Sequence, residues 1–386
     1  MNVLAHIREN GINAEIEFPI DDDELQRILK KHYMPTDTTN PFYVKAIDYP
    51  NALSVLNFKS VNLDELNYLA KRIVSFYGDE LDQFEIAVKQ SNAETLKDLI
   101  NLTFNLDKFT LIKDISNMAK VGREYILNTE GSVPADSEYD EQYAQNGREL
   151  LCSGRGIFTD KGLLFVEDKP LEEVYDGQVF PCYSDKPCIA EVELEYNGKT
   201  ETIFLPDSES AFGKAVNRLG AEYLEDCVCV LEISNPKYNK LYDAFEEVLQ
   251  RDGINELNNI IKLIDEYEID SDKLAAAIEY TGVKSAEDIV VLMDNLDDLG
   301  LIEDVSCGDD EAVGRYFVEN DSYEEYEISD ELCDFFDYAE FGEHMADIRS
   351  GEYVSGGFMF YDGDNDISEI LDRLGIAGNS MKLGGM

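Results

Sequence analysis

Residues 121–126 read VGREYI and residues 313–318 read VGRYFV. Val121, Gly122 and Arg123 match Val313, Gly314 and Arg315 at an offset of 192 residues, and such self-similarity reveals architecture before any element is assigned. Upstream, VKQSNAET (88–95) meets VKSAED (283–288), with Ala93 against Ala286 at 193, while Leu66 and Asn67 of LNYLAKRI meet Leu257 and Asn258 of LNNIIKLI at 191. Downstream, GLLF (162–165) meets GFMF (357–360) at 195. The beginnings agree as well. EFPIDDDELQRILKK and IFLPDSESAFGKAVNRL each place a short apolar strand and a proline before an acidic N-cap and an amphipathic helix. The chain therefore reads as two tandem units, residues 1–170 and 198–362. Between them, Pro, Gly and β-branched stretches mark 171–197 as a connecting segment with strands of its own. Residues 363–386 read as a C-terminal helix and a flexible Gly-rich tail.

Within each unit the hydrophobic period switches between strand and helix. Residues 42–48 and 228–234 read as strands, and 63–76 and 257–267 as helices. A helix opened by a capping box of Ser285 with Asp288 places Ile289, Leu292, Met293, Leu296 and Leu299 on one face, with Gly300 as its stop. Ser91 with Glu94 is expected to open its counterpart. The fold class that follows is α+β, an elongated series of small α+β subdomains.

Length and charge bound the function. A chain of 386 residues suits two or three domains, and 44% hydrophobic with 11% aromatic content argues against an acidic disordered coil. The start MNVLAHIRENGINAEIEF carries no signal peptide, and no apolar run is long enough to span a bilayer, so a cytoplasmic protein is expected. With 32 Lys and Arg against 82 Asp and Glu, the formal charge is −50. Such a surface is repelled by nucleic acid and anionic lipid and attracted to basic proteins. A halophile's solvated surface is the plainer source of such charge. Abundant Ile, Asn and Tyr and the preference for Lys over Arg speak against it.

The charge is uneven. Residues 1–190 hold 19 basic and 33 acidic groups, and residues 191–386 hold 13 and 49. The densest stretch is 287–347, with 22 acids and one Arg, whereas 94–155 in the first unit has 11 acids and 7 bases. The candidate surface is accordingly Glu287, Asp288, Asp294, Asp297, Asp298, Glu303, Asp304, Asp309, Asp310, Glu311, Glu319, Asp321, Glu324, Glu325, Glu327, Asp330, Glu331, Asp334, Asp337, Glu340 and Glu343. On a continuous helix, Asp294 would lie about 5–6 Å from Asp297 and Asp298. That spacing is of the order of the separation of successive phosphates along a DNA strand. Tyr316, Phe317, Tyr323, Tyr326, Phe335, Phe336, Tyr338 and Phe341 alternate with these acids and are expected to anchor them as core.

Other chemistry finds no foothold. Cys152, Cys182, Cys188, Cys227, Cys229, Cys307 and Cys333 form no CxxC pair, and His6, His32 and His344 lie far from them, so neither a zinc site nor a disulfide framework is expected. Asp362, Asp364 and Asp366 begin like an EF-hand loop, but Ile367 replaces the required glycine and Arg373 the twelfth-position glutamate. No phosphate-binding, zinc-protease or nucleophile-elbow motif occurs, and no histidine stands beside a nucleophile, so neither catalytic residues nor a cofactor are expected.

The order EFPIDDDELQRILKK, YVKAIDY, LDELNYLAKRI, SNAETLKDLI and VGREYI, with GRYFVE, FFDYAEFGEHM and SGGFMFYD in the second unit, resembles the ArdA antirestriction family. The resemblance covers most of both units and implies an elongated DNA mimic. Such a protein occupies the DNA groove of type I restriction-modification enzymes and counters host defence from a phage or mobile element. Family members are single units that dimerise, so the fused chain is expected to be a pseudo-dimer on its own or a homodimer. Two other readings share the same charge: a mimic aimed at a CRISPR effector or other nuclease, and an acidic chaperone for basic proteins.

Overall fold

The computed structural model describes residues 2–133, 139–320, 328–329 and 332–363. It is an α+β structure with four small sheets rather than one large one. The chain divides into two compact units: Met1–Lys186 with Leu194–Thr202 and Ser208–Val228, and Pro187–Glu193 with Ile203–Asp207 and Cys229–Met386.

In chain order, β1 (Val3–Glu9), β2 (Ile12–Phe18), α1 (Asp22–Lys31), β3 (Pro41–Ile47) and β4 (Ser60–Asn62) build a sheet of order β2-β1-β3-β4 and its first helix. Then α2 (Leu63–Val74), α3 (Glu80–Ser91) and α4 (Leu96–Thr103) close a core that includes Phe18, Phe42, Leu69, Phe84 and Leu99. Strand β5 (Phe109–Ile112), helices α5 (Met118–Glu130) and α6 (Asp140–Cys152), and strands β6 (Gly156–Thr159) and β7 (Gly162–Val166) form a smaller subdomain with sheet order β5-β7-β6. Further on come β8 (Ala190–Tyr196), β9 (Lys199–Leu205), α7 (Glu209–Leu219) and β10 (Val228–Ile233), in a sheet of order β10-β8-β9. The chain continues through α8 (Tyr242–Arg251), α9 (Ile254–Glu266), α10 (Ser271–Thr281), α11 (Ala286–Asp294) and β11 (Leu299–Glu303). It ends, among the described residues, in α12 (Asp310–Glu319), α13 (Tyr338–Ile348), β12 (Glu352–Val354) and β13 (Gly357–Tyr361), with sheet order β11-β13-β12. The expected C-terminal helix and tail, 363–386, lie outside the described residues apart from Gly363.

The same local devices occur in both units. Asn67 of α2 accepts the Ile20 N–H at 2.9 Å and donates to its carbonyl at 2.8 Å, and Asn258 of α9 does the same to Asp207 at 2.9 and 2.8 Å. Each asparagine thereby clamps the turn after the cis-proline strand end, Phe18-Pro19 or Leu205-Pro206. Asn258 is fully buried. Substituting Asn258→Ala leaves the Asp207 backbone pair unsatisfied and is expected to cost about 2 kcal/mol, roughly two net hydrogen bonds, read as a lower urea midpoint at unchanged slope.

Helix packing repeats too. Gly122 of α5 and Gly147 of α6 cross with no room for a side chain: a Cβ on Gly122 would lie 2.0 Å from the Tyr143 carbonyl oxygen. Gly314 of α12 and Gly342 of α13 make the corresponding crossing, with Gly314 facing the Tyr338 carbonyl at 1.9 Å. The matched VGR triplets therefore mark a packing requirement.

Four expectations are corrected. The match of VKQSNAET with VKSAED is displaced: the left-handed helix ends Asn92 and Gly282 and the N-caps Thr95 and Ser285 align at an offset of 190, which sets Ala93 against Val283 and not Ala286. The helix after Ser285 is shorter than its apolar spacing suggests: it ends at Asp294, a single 3-10 turn spans Leu296–Asp298, and Leu299 and Gly300 belong to β11. Asn295 stops it by donating its side-chain amide to the Val291 carbonyl at 2.7 Å. The next residues then pair with β13, Gly300 opposite Phe360, whose ring covers the glycine and excludes a Cβ. Gly300 is thus a close-approach residue in a strand, not a helix stop. In the first unit, Ser91 ends α3, and the capping box is Thr95 with Asp98. Finally, Phe335 is 86% exposed, whereas Phe317 and Tyr338 are buried as expected. Tyr323 and Tyr326 lie outside the described residues.

Candidate functional site: an acidic surface on ordered elements

The acidic stretch is carried by a small core. Val313, Phe317, Met345, Phe358 and Phe360 pack together, with Phe317 and Phe360 edge to face at 4.9 Å between centroids. This anchors α12 and α13, whose outer faces hold the carboxylates. Both helices start on aspartate caps: Asp309 accepts the Ala312 N–H and Asp337 the Glu340 N–H, each at 3.1 Å. Acids in the first turn also suit the positive end of each helix. Part of the acid count is therefore structural. Asp288 similarly serves α11, where Ser285 accepts its N–H at 3.1 Å and donates its hydroxyl to the Asp288 carboxylate at 2.5 Å. Asp310 accepts from the Tyr353 hydroxyl at 2.7 Å.

Of the candidate residues that are described, Glu287, Asp294, Asp297, Glu303, Asp304, Asp309, Glu311, Glu319, Asp334, Asp337, Glu340 and Glu343 are exposed; Asp288, Asp298 and Asp310 are half-buried. Asp321, Glu324, Glu325, Glu327, Asp330 and Glu331 lie outside the described residues. Arg315 ties down two of the set, Glu311 at 2.8 Å and Glu319 at 3.7 Å, and its guanidinium lies over the Tyr338 ring at 4.2 Å. The helical spacing expected of Asp294 with Asp297 and Asp298 does not hold, because the helix has ended. It does hold for Glu340 and Glu343 on α13, i and i+3 on one face and about 5–6 Å apart.

The first unit handles its acids differently. Lys113 donates to Asp79 at 2.7 Å and also to Asp82, while Lys161 donates to Asp82 at 2.5 Å and also to Glu85. The Lys113 and Lys161 ammonium groups beside Asp82 hold its carboxyl below the usual aspartate range. Lys120 pairs with Asp114 at 2.5 Å, and Lys89 faces Asp160 at 3.9 Å. Aligning the units on their left-handed helix ends, Asn92 and Gly282, and on the N-caps Thr95 and Ser285, sets Glu279 in place of Lys89 and Glu303 in place of Lys113. Glu279 and Asp272 precede the densest acidic stretch, so composition does not single them out; Glu279 stands out as a lysine-to-acid exchange only in the register that the helix ends set, and Asp272 is matched by an acid, Asp82, in that register.

Among the described residues, no group of three or more His, Cys, Asp or Glu is placed to hold a metal ion. None of the seven cysteines is in a disulfide, and Asp362 is engaged with Arg349 at 3.2 Å. Asp364 and Asp366 lie outside the described residues. Among the described residues no helix is long and apolar enough to cross a membrane. No protein-family model matches the chain, and no curated protein matches it.

Proposed function

We propose that the chain is a DNA-mimic inhibitor whose carboxylates compete for the lysines and arginines in the DNA groove of a defence enzyme, with a type I restriction-modification enzyme as the target. The observation that carries this reading is the set of exposed acids on α12 and α13, which Arg315 neutralises only in part and which an aromatic core holds in place. An acidic coil attracts basic proteins but holds no charge pattern, whereas groups fixed on helices can present a repeating one. The sequence resemblance to ArdA supplies the choice of target. The protein works by occupancy, without a chemical step.

The test is displacement. The purified chain is titrated into a type I methyltransferase bound to labelled duplex, at 50 and 200 mM salt. Near-stoichiometric displacement is expected at low salt, and direct binding of the chain to the DNA-free methyltransferase is expected to weaken by about 10³-fold or more at the higher salt if the mimic replaces six or more phosphate contacts. No displacement at a tenfold excess would reject this target. Direct binding insensitive to salt would reject mimicry.

A further inference from the structure

The first unit fills with its own lysine a place where the second unit has a cavity. In the first unit the turn between β6 and β7 carries Lys161, whose side chain runs back to α3 and donates to Asp82 and Glu85. Glu85 is nearly buried, and its other oxygen accepts the Asn51 N–H at 3.1 Å. This is an alkylammonium group held between two carboxylates, with its stem against the protein.

In the second unit the turn between β12 and β13 aligns with that turn through Gly162 and Gly357, both in the left-handed half of the backbone map and both packed against a carbonyl of the neighbouring strand, Ile112 and Ile302. Gly356 then stands where Lys161 stands, and Ser355 where Asp160 stands. On α10, the Thr281 hydroxyl donates to the Ala277 carbonyl at 2.7 Å, as Ser91 does to Ala87 on α3. That register sets Asp272 in the place of Asp82 and Ala275 in the place of Glu85. At this place lies a cavity of about 450 Å³, lined among others by Lys240, Asp243, Asp272, Ala275, Glu279 and Gly356.

The lining suits one chemistry. Leu241, Ala275, Ala276 and Ile278 offer an apolar wall for a methylene stem, and Asp243, Asp272 and Glu279 offer acceptors for a cation. Glu279 is fixed by the Ser355 N–H at 2.9 Å and hydroxyl at 3.1 Å. Lys240 lines the same cavity and pairs with Asp272 at 2.9 Å; both side chains are more than half exposed, so this pair lies at the solvent side, with Asp243 and Glu279 the remaining acids of the lining. Its bond to Asp272, with Glu303 and Asp304 near, holds the Lys240 ammonium above the usual lysine range.

We propose that this cavity is a socket for an alkylammonium group, a lysine side chain of the partner protein, taking the place that Lys161 fills in the first unit. The identity of the occupant rests on the DNA-mimic reading; the socket itself does not.

The probe is Nα-acetyl-lysine N-methylamide, titrated into the full-length chain and followed by NMR shifts of the cavity residues, with the norleucine analogue as the uncharged control. Saturable, salt-sensitive binding in the millimolar range is expected for the lysine probe alone. Equal binding of both probes, or no localised shift, overturns the socket. The double substitution Ala275→Glu with Gly356→Lys rebuilds the first unit's pair, and a Cβ at Gly356 meets Ala276 at an ordinary 3.7 Å. It is expected to weaken probe binding at least tenfold; unchanged binding overturns the proposal. Should that variant fail to fold, Glu279→Gln is expected to weaken the probe about threefold or more, with the same reversal if it does not. In the displacement assay, the double variant should need severalfold more protein than wild type. Undiminished displacement together with lost probe binding would overturn the partner's lysine and leave a free amine as occupant. Probe binding without displacement by the wild type would remove the DNA-mimic reading and keep the socket.

Discussion

Replacing Glu311, Glu319, Glu340 and Glu343 together by lysine is expected to raise the amount of protein needed for displacement by at least about 100-fold, with the fold retained. All four are exposed, and none of their carboxylates caps a helix. At about 4 Å in water each charge pair is worth about 1 kcal/mol, so four attractions turned to repulsions exceed the roughly 2.7 kcal/mol that a 100-fold loss requires, even after screening. The structural side effect is smaller. Lysines at 311 and 319 lie one turn from Arg315 and cost about 0.2–0.5 kcal/mol each as like-charge neighbours. Each glutamate replaced singly by alanine should change displacement by no more than about fivefold, the roughly 1 kcal/mol of one pair, because no one carboxylate holds the partner. Circular dichroism checks that the quadruple variant is folded. A single Glu→Ala change that abolished displacement in a folded protein would point to a discrete binding pocket in place of a distributed surface.

How far the sequence reveals the molecule depends on which interactions are local. The strands at 42–48 and 228–234 and the helix at 63–76 are legible within two residues, because period and flanking turn residues set them. The helix after Ser285 is overextended because Leu296 and Leu299 keep helical spacing, yet Leu299 is claimed by Tyr361, sixty-two positions away, through strand pairing. No local pattern records that. The cap at Thr95 was missed for a related reason: Ser91 has the right residue type, but its hydroxyl returns to the Ala87 carbonyl inside α3. For the candidate surface, composition finds the exposed acids but does not separate Asp309 and Asp337, which serve their own helices, from Glu340 and Glu343, which serve none. The socket lies deeper still, since it is written in side chains that the second unit lacks. Only aligning the units exposes Gly356 against Lys161 and Ala275 against Glu85.

Gly314→Ala is expected to destabilise the subdomain that carries the acidic surface by at least about 3 kcal/mol. The added Cβ would stand 1.9 Å from the Tyr338 carbonyl oxygen, and the atom it meets is helix backbone, which has no rotamer by which to withdraw. Relief requires α12 and α13 to move apart, which strips contact from Val313, Phe317 and Met345 beneath them. Gly342→Ala should do the same, since its Cβ would lie 1.9 Å from the Asp310 carbonyl oxygen. Gly213→Ala provides the opposite control: it sits inside α7 with nothing within 4 Å, so the substitution should stabilise by about 0.5–1 kcal/mol through helix propensity alone. Urea unfolding with hydrogen exchange resolved along the chain distinguishes the cases. Early exchange confined to α12, α13, β12 and β13 is the expected signature of Gly314→Ala, and displacement should fall with it. A Gly314→Ala protein as stable as wild type would mean that the crossing is looser than its backbone contacts require. The acidic surface would then owe its order to the aromatic core alone.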